Sequence, residues 1–300
     1  MRLLVTGATG FVGRSLVPAL LPDHDLTLLL REEYAGGKLL PPPLDKLRSA
    51  YGTVYADLRN YNLTSRAVRD TKPEAVIHLA AAGVTDPFLP VNTALSHNVT
   101  GTLNLARACF QNGGSSQQLI IARTPGELTA LNVYAASKAA AWSFCQMYAR
   151  TAGWPIRGAM IFQAYGPNQS PHLLVAAALR AALAGEQFPM TMGSQAKDWV
   201  YIADVVAGIR ALLDADVSPG TTVDLGTGTL TSVLRVVEML YELVGRGGHP
   251  LPGALPSRPG ETPQPAADVT TTLEQIDWQA HILLEDGLRM LVENAIQEKT

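Results

Sequence analysis

Tyr134 and Lys138 stand four residues apart in the run Tyr134-Ala135-Ala136-Ser137-Lys138. On a helix, positions i and i+4 share one face, so the lysine ammonium can lie under the tyrosine hydroxyl and favour its phenolate. A free phenol near pKa 10 relays protons poorly at neutral pH, and a neighbouring cation corrects that. Alone, such a pair more often marks a partly exposed helix surface. A second feature lies far upstream. Thr6-Gly7-Ala8-Thr9-Gly10-Phe11-Val12-Gly13 is a GxxGxxG run between an apolar segment, Leu3 to Thr6, and a segment of helical apolar spacing, Phe11 to Leu21. In that position Gly7 permits a tight exit from a strand, and Gly10 lets backbone N–H groups approach a pyrophosphate at a helix N-terminus. Gly13 lets helix and sheet touch. Glycines so placed point to a bound dinucleotide.

These residues need a frame that brings distant parts of the chain together. Short continuous apolar runs at Leu3 to Thr6, Leu26 to Leu30, Thr53 to Ala56, Ala75 to Leu79, Gln118 to Ala122 and Ile156 to Phe162 read as strands, the first of the kind buried on both faces. Between them, helical patterns run from Phe11 to Leu21, from about Asn62, from Val91 to Gln111 and from Asn132 to Thr151. Strands alternating with helices imply right-handed crossovers and a parallel sheet. Tyr34 to Ala50, with Gly36-Gly37 and Pro41-Pro42-Pro43, reads as a surface insert. After Gly166-Pro167 the regularity breaks. Helices are expected near 173–184, 202–213 and 230–245, a short run near 188–192, a strand near 222–225, an arm carrying six prolines from Gly247 to Pro265, and a helical end from about Leu284.

Composition narrows the partners. At 47% hydrophobic and 16% charged, the 300-residue chain is neither disordered nor a coiled coil. A net charge of -3 gives no basic surface for nucleic acid. No run reaches about 18 apolar residues, so no membrane span is expected, and Met1 leading directly into a strand makes a cytoplasmic protein the expectation. Cys109 and Cys145 lie in apolar runs without metal spacing and the six histidines do not cluster, so no metal is expected.

Together the glycine run and the Tyr-Lys pair resemble the short-chain dehydrogenase/reductase superfamily, in its extended, NAD-dependent epimerase/dehydratase branch acting on nucleotide sugars. Asp57-Leu58-Arg59 resembles that family's acidic turn at the adenine. Val76-Ile77-His78-Leu79-Ala80-Ala81 resembles its fourth strand, and Asn98-Val99-Thr100-Gly101-Thr102 its asparagine-bearing helix. Tyr165-Gly166-Pro167, Lys197-Asp198-Trp199-Val200 and Arg258-Pro259-Gly260-Glu261 resemble later segments, so the likeness spans nearly the whole chain.

The resemblance implies a Rossmann-type, doubly wound parallel α/β fold over residues 1–165 plus 199–225, with a smaller interleaved C-terminal substrate lobe over 166–198 plus 226–300. It implies cofactor contacts from Gly7, Thr9, Gly10, Phe11, Val12, Gly13, Arg31, Asp57, Leu58, Leu79, Ala80, Ala81, Asn98, Tyr134 and Lys138. Thr124, Tyr134 and Lys138 become the catalytic set, with Thr129 as the other candidate hydroxyl. Gln163, Lys197, Trp199 and Arg258 become the substrate side, although Trp199 also reads as plain packing.

Three departures direct the reading further. Only ten residues separate Thr124 from Tyr134, which resembles the family's small 4-ketosugar reductases, including the CDP-paratose synthase type. Met160 and Gln163 replace the usual Arg and Asn before the Tyr-Gly-Pro turn, and Lys197 replaces an Arg, giving a point charge where a fork is usual. Arg31, after the second strand, stands where an adenosine 2'-phosphate would sit and favours NADP, with NAD as the alternative through Glu32. The expectation is therefore NADP(H)-dependent reduction of a nucleotide-activated 4-keto-deoxysugar. The alternatives are a 4-epimerase retaining NAD and a dinucleotide-binding module without turnover. The apolar helices over 91–111 and 132–151 imply a homodimer.

Overall fold

The computed structural model describes residues 1–300 apart from 85, 87, 112–113, 115, 257–263 and 298–300. The chain divides into two compact units, residues 1–160 with 209–223 and residues 161–208 with 224–300. The divisions expected after residues 165, 198 and 225 fall after 160, 208 and 223. The reason lies in strand pairing, since residues 196–201 pair with 163–165 and with 230–232, which draws them into the second unit.

The first unit winds through β1 (Arg2–Thr6), α1 (Phe11–Leu20), β2 (Asp25–Leu30), β3 (Gly52–Tyr55), α2 (Tyr61–Thr71) and β4 (Ala75–His78). It continues through α3 (Val91–Ala94), a π-helical turn (Leu95–Thr100), α4 (Gly101–Phe110), β5 (Gln118–Arg123), a 3-10 turn (Pro125–Thr129), α5 (Val133–Ala152) and β6 (Ile156–Ile161). The strand order β3-β2-β1-β4-β5-β6 is parallel at each of these pairings. Leu3, Leu4, Val5, Val76 and Ile77 are essentially unexposed, which is why these strands read as unbroken apolar runs. Each such side chain contributes roughly 1.5–3 kcal/mol of burial. The order reverses between β1 and β4, and in open α/β sheets ligands bind at the carboxyl ends of strands flanking such a switch. The carboxyl ends here are the glycine run and Leu79-Ala80-Ala81.

The second unit holds β7 (Gln163–Tyr165), α6 (Leu174–Ala184), β8 (Phe188–Pro189), β9 (Ala196–Tyr201) and the start of α7 (Ile202–Asp214). After β10 (Thr222–Leu225), which edges the large sheet beside β6, come β11 (Leu230–Ser232), α8 (Val233–Val244), β12 (Pro250–Leu251), α9 (Val269–Ile276) and α10 (Leu284–Gln297). The helix expected from 230 starts at Val233, because Leu230 to Ser232 pair antiparallel with β9 and the Ser232 side chain then caps α8. Asp198 anchors this unit. Only 2% exposed, its carboxylate accepts from Thr227 N and Oγ1, Gly228 N and Ala267 N at 2.7–3.0 Å.

Candidate active site

The glycine run folds as its residue types require. Gly7 has φ +73°, and a Cβ there would collide with the backbone of Leu79 and Ala80. A Cβ on Gly13 would lie 2.5 Å from Ala8 Cα and Gly7 O, so α1 and its entry loop approach only because Gly13 has none. Gly10 differs. Exposed, with its nearest obstruction only Gly7 O at 3.2 Å, it is not demanded by the protein's own packing. Gly10 is also the N-cap of α1, and no side chain caps that helix. The first-turn N–H groups at Phe11, Val12 and Gly13 thus lack a side-chain acceptor and suit an anionic ligand. Thr9, Phe11 and Val12 are half-buried beside them. These residues fit the pyrophosphate of a dinucleotide.

Below this loop His78 is fully buried, its Nδ1 2.7 Å from Thr6 Oγ1 and its Nε2 2.9 Å from Thr102 Oγ1. Burial, with the charge of Lys138 second, lowers its pKa to about 3, so the imidazole is neutral and ties β1 to α4. His78 is therefore a core residue of β4. Cys109 and Cys145 are free and buried, and burial raises each thiol to about 12. Among the described residues no three His, Cys, Asp or Glu side chains could hold a metal ion together.

Asn98 falls within the π-helical turn, a distortion that redirects a side chain from its helical register. Its amide holds Ala82 from both sides, accepting from Ala82 N at 2.8 Å and donating to Ala82 O at 2.9 Å. It also donates to Ser137 Oγ at 2.9 Å, and Ser137 in turn donates to Tyr134 O at 2.7 Å. Asn98 therefore fixes both the segment beyond Leu79-Ala80-Ala81 and the first turn of α5. Ser137 was not singled out from sequence, although it lies inside the Tyr-Lys run.

Tyr134 and Lys138 occupy the start of α5, which Asn132 caps by accepting from Ala135 N at 2.9 Å. Lys138 is 4% exposed and Tyr134 half-buried. Burial lowers the proton affinity of Lys138, and nearby Glu127 offsets part of that. The phenol of Tyr134 moves the other way, held above its ordinary value by burial and then by the charge of Glu127. Burial and the Glu127 charge therefore oppose the phenolate that the Tyr-Lys spacing would favour. Removing a phenolate from water is costly, and the Lys138 cation is itself weakened by burial.

Thr124 follows β5 in extended backbone and caps the 3-10 turn, half-buried. Thr129, the other candidate hydroxyl, is exposed at the far end of the turn. Glu127 lies between them with its side chain 1% exposed. Its Oε1 accepts from Thr124 N at 3.0 Å, and its Oε2 from Arg123 Nε at 2.9 Å. Arg123 lies over the Trp142 ring of α5 at 4.5 Å and donates to Thr222 Oγ1 at 2.8 Å. Sequence reading passed over Glu127. The signal was present in the Thr-x-x-Glu spacing of a capping box.

The remaining expected residues divide. Asp57 and Leu58 are half-buried, and the Asp57 carboxyl is held below its usual range by hydrogen bonding to Arg59. Asn104 donates to the Leu58 and Arg59 carbonyls and fixes that turn. Arg31 extends into solvent, its side chain 69% exposed and paired at 2.7 Å with Glu33, which also meets Lys38 at 3.1 Å. In the second unit Gln163 is in register with Trp199, and Lys197 is two residues from Trp199, so all three share one sheet face. Trp199 is 3% exposed and donates to Thr231 O at 2.9 Å, which makes it a packing residue of that face. Arg258 lies outside the described residues.

Comparison with known proteins places this geometry. Residues 3–226 match the NAD dependent epimerase/dehydratase family. The UDP-glucose 4-epimerase of Mycolicibacterium smegmatis is 32% identical, with 98% of each chain covered. An uncharacterized UDP-glucose epimerase of Bacillus subtilis is 27% identical, with 96% of each covered. Among solved structures, the Thermus thermophilus UDP-glucose 4-epimerase in complex with NAD is 25% identical and superposes with a TM-score of 0.82, covering 98% of each chain.

Proposed function

The chain belongs to the NAD dependent epimerase/dehydratase family, and from that premise we propose that it reduces the 4-ketone of a nucleotide-activated deoxysugar with NADPH. The observation that supports this reading is the short turn from Thr124, just after β5, to Tyr134 on α5, braced where Glu127 accepts from Thr124 N at 3.0 Å. A phenol held in its acid form is suited to giving a proton to a developing alkoxide. The nicotinamide, when bound, supplies the hydride. Tyr134 donates its hydroxyl proton to the carbonyl oxygen, Thr124 orients that oxygen, and Lys138 holds the nicotinamide ribose. Gly10 and the open first turn of α1 receive the pyrophosphate, and Asp57 and Leu58 border the adenine. Leu79, Ala80 and Ala81 line the ribose, on a segment that Asn98 fixes.

NADP is preferred through Arg31, whose exposed guanidinium can leave Glu33 for a 2'-phosphate. Gln163, Lys197 and Arg258 serve the substrate diphosphate. Val91, Leu95 and Phe144, exposed apolar residues on the two helical runs expected to pair, support a homodimer. No described helix is long and apolar enough to cross a membrane, in keeping with a cytoplasmic enzyme.

The test is NADPH consumption by purified protein offered a nucleotide 4-keto-6-deoxysugar, with light scattering for the dimer. Turnover that needs added NADPH supports the reading. Protein that carries NAD through purification and interconverts 4-epimers without added cofactor would replace it with the second reading. That reading draws on the 32% identity to a 4-epimerase.

A further inference from the structure

We propose that Glu127 is a positioning residue of the proton relay, a buried carboxylate that holds Thr124 at the end of β5 and, balanced by Arg123, sets the field at Tyr134 and Lys138. The proposal rests on the reading of Tyr134 as the proton donor and goes beyond it by naming what tunes that donor.

The geometry separates two tasks. One carboxylate oxygen takes the Thr124 backbone N–H at 3.0 Å, which fixes the residue given the orienting hydroxyl under the proposed function. The other takes the Arg123 guanidinium, through Nε at 2.9 Å and Nη2 at 2.9 Å. Arg123 is itself seated on Trp142, one turn beyond Lys138 on α5, and on Thr222 of β10. A single clip therefore connects the end of β5 to the helix carrying the tyrosine and lysine. The turn packs directly against α5, and it is short, with only ten residues from Thr124 to Tyr134. A short connection needs an internal brace if the two ends are to keep one spacing.

Charge is the second task. The charged and titratable groups facing Glu127 are Arg123 from β5 and Tyr134, Lys138 and Cys145 from α5. With a side chain 1% exposed, Glu127 acts on them with little screening by water. Its negative charge opposes the phenolate of Tyr134 and supports the ammonium of Lys138. Without it the phenolate of Tyr134 would lose an opposing charge and the ammonium of Lys138 a supporting one. A brace that served shape alone would need no charge beside the donor.

Three variants separate reach from charge. Glu127→Gln keeps an acceptor for Thr124 N and loses the charge. Glu127→Asp keeps the charge and shortens the reach. The double variant Arg123→Gln/Glu127→Gln removes both charges of the pair. The first readout is the Cζ resonance of labelled tyrosine in the NADP-bound protein, with Tyr134 identified by its absence in Tyr134→Phe. In Glu127→Gln the Tyr134 signal should begin to titrate at least roughly half a unit lower than in the parent. The double variant should return toward the parent, and Glu127→Asp should stay with it. This readout needs no substrate, so it stands or falls separately from the ketone-reduction reading. Where turnover is measurable, kcat of Glu127→Gln should fall about tenfold with KM within about twofold, and the pH midpoint of kcat should move acid. Tyr134 titrating alike in parent and Glu127→Gln, or failing to titrate in both, overturns the proposal. So does a Glu127→Gln protein that cannot fold while the double variant folds and titrates unlike the parent.

Discussion

Two carboxylates, Glu127 in the first unit and Asp198 in the second, are buried almost equally and are stabilised in different ways. Asp198 is satisfied by four neutral donors, three of them backbone N–H groups that close the loops around Gly226 to Gly228 and Ala267. Glu127 has one backbone donor and a full cation, with a tyrosine and a lysine close enough for their protons to respond. Burial alone therefore does not mark a catalytic neighbourhood. What differs is whether the groups around the charge can change their own charge.

The contrast breaks first at Tyr134. Tyr134→Phe removes one hydroxyl from a packed ring, so folding and nucleotide binding should persist while turnover falls about 10²- to 10⁴-fold, roughly 3–5 kcal/mol of barrier. Unchanged NADPH consumption in that variant would remove the proton relay, whatever the fold. Asp198→Asn should do the reverse. It points an amide at N–H donors and should cost roughly 2–4 kcal/mol of stability, with no displacement of the kcat pH midpoint in the folded fraction. Chemical denaturation and a pH profile on the same preparation read both, and a displaced midpoint would erase the distinction drawn here.

His78 gives the next largest effect. Its folded pKa lies near 3 and its unfolded value near 6.5, so the unfolded chain takes the proton first as pH falls. The stability due to neutral His78 is complete above about pH 6.5 and is lost progressively below it, about 2 kcal/mol by pH 5. Unfolding free energies at pH 7 and pH 5 should differ by at least that amount. Equal values would mean that the imidazole is not held neutral between Thr6 and Thr102. The smallest effect belongs to a residue outside both buried clusters. Arg31→Asp should weaken NADPH about tenfold relative to NADH by titration, about 1.4 kcal/mol. Tighter NADH than NADPH binding in the parent would assign the cofactor to NAD.

The sequence displayed the parts of the molecule that follow local rules. Strand, glycine run and helix at residues 2–20 are consecutive, and a Tyr-Lys spacing of four is a helical spacing, so both were visible without coordinates. Residues whose role depends on a partner distant in the chain were hidden. Arg123 meets Thr222, and Asp198 meets Ala267, across separations that no window of sequence spans. Trp199 was named for the substrate side because of its neighbours in the chain, and its indole is taken up by Thr231. The short helix α9 went unnoticed beside the proline arm, although Asp268 caps it by accepting from Thr271 N at 3.0 Å. Leu230 to Ser232 looked helical because three residues are too few to display a period of two, and pairing with β9 decided the matter.

The position of β10 at the edge of the large sheet bears on how the protein is made. β6 ends at Ile161 and its partner begins at Thr222, so about 60 residues must be translated before that edge is covered. At roughly 5–20 residues per second the nascent chain carries an open strand for about 3–12 s. An unpaired strand edge is a template for other chains, so this interval is when aggregation competes with folding. Slower synthesis between residues 161 and 222 should lower the soluble yield of this protein without changing the stability of the molecules that finish.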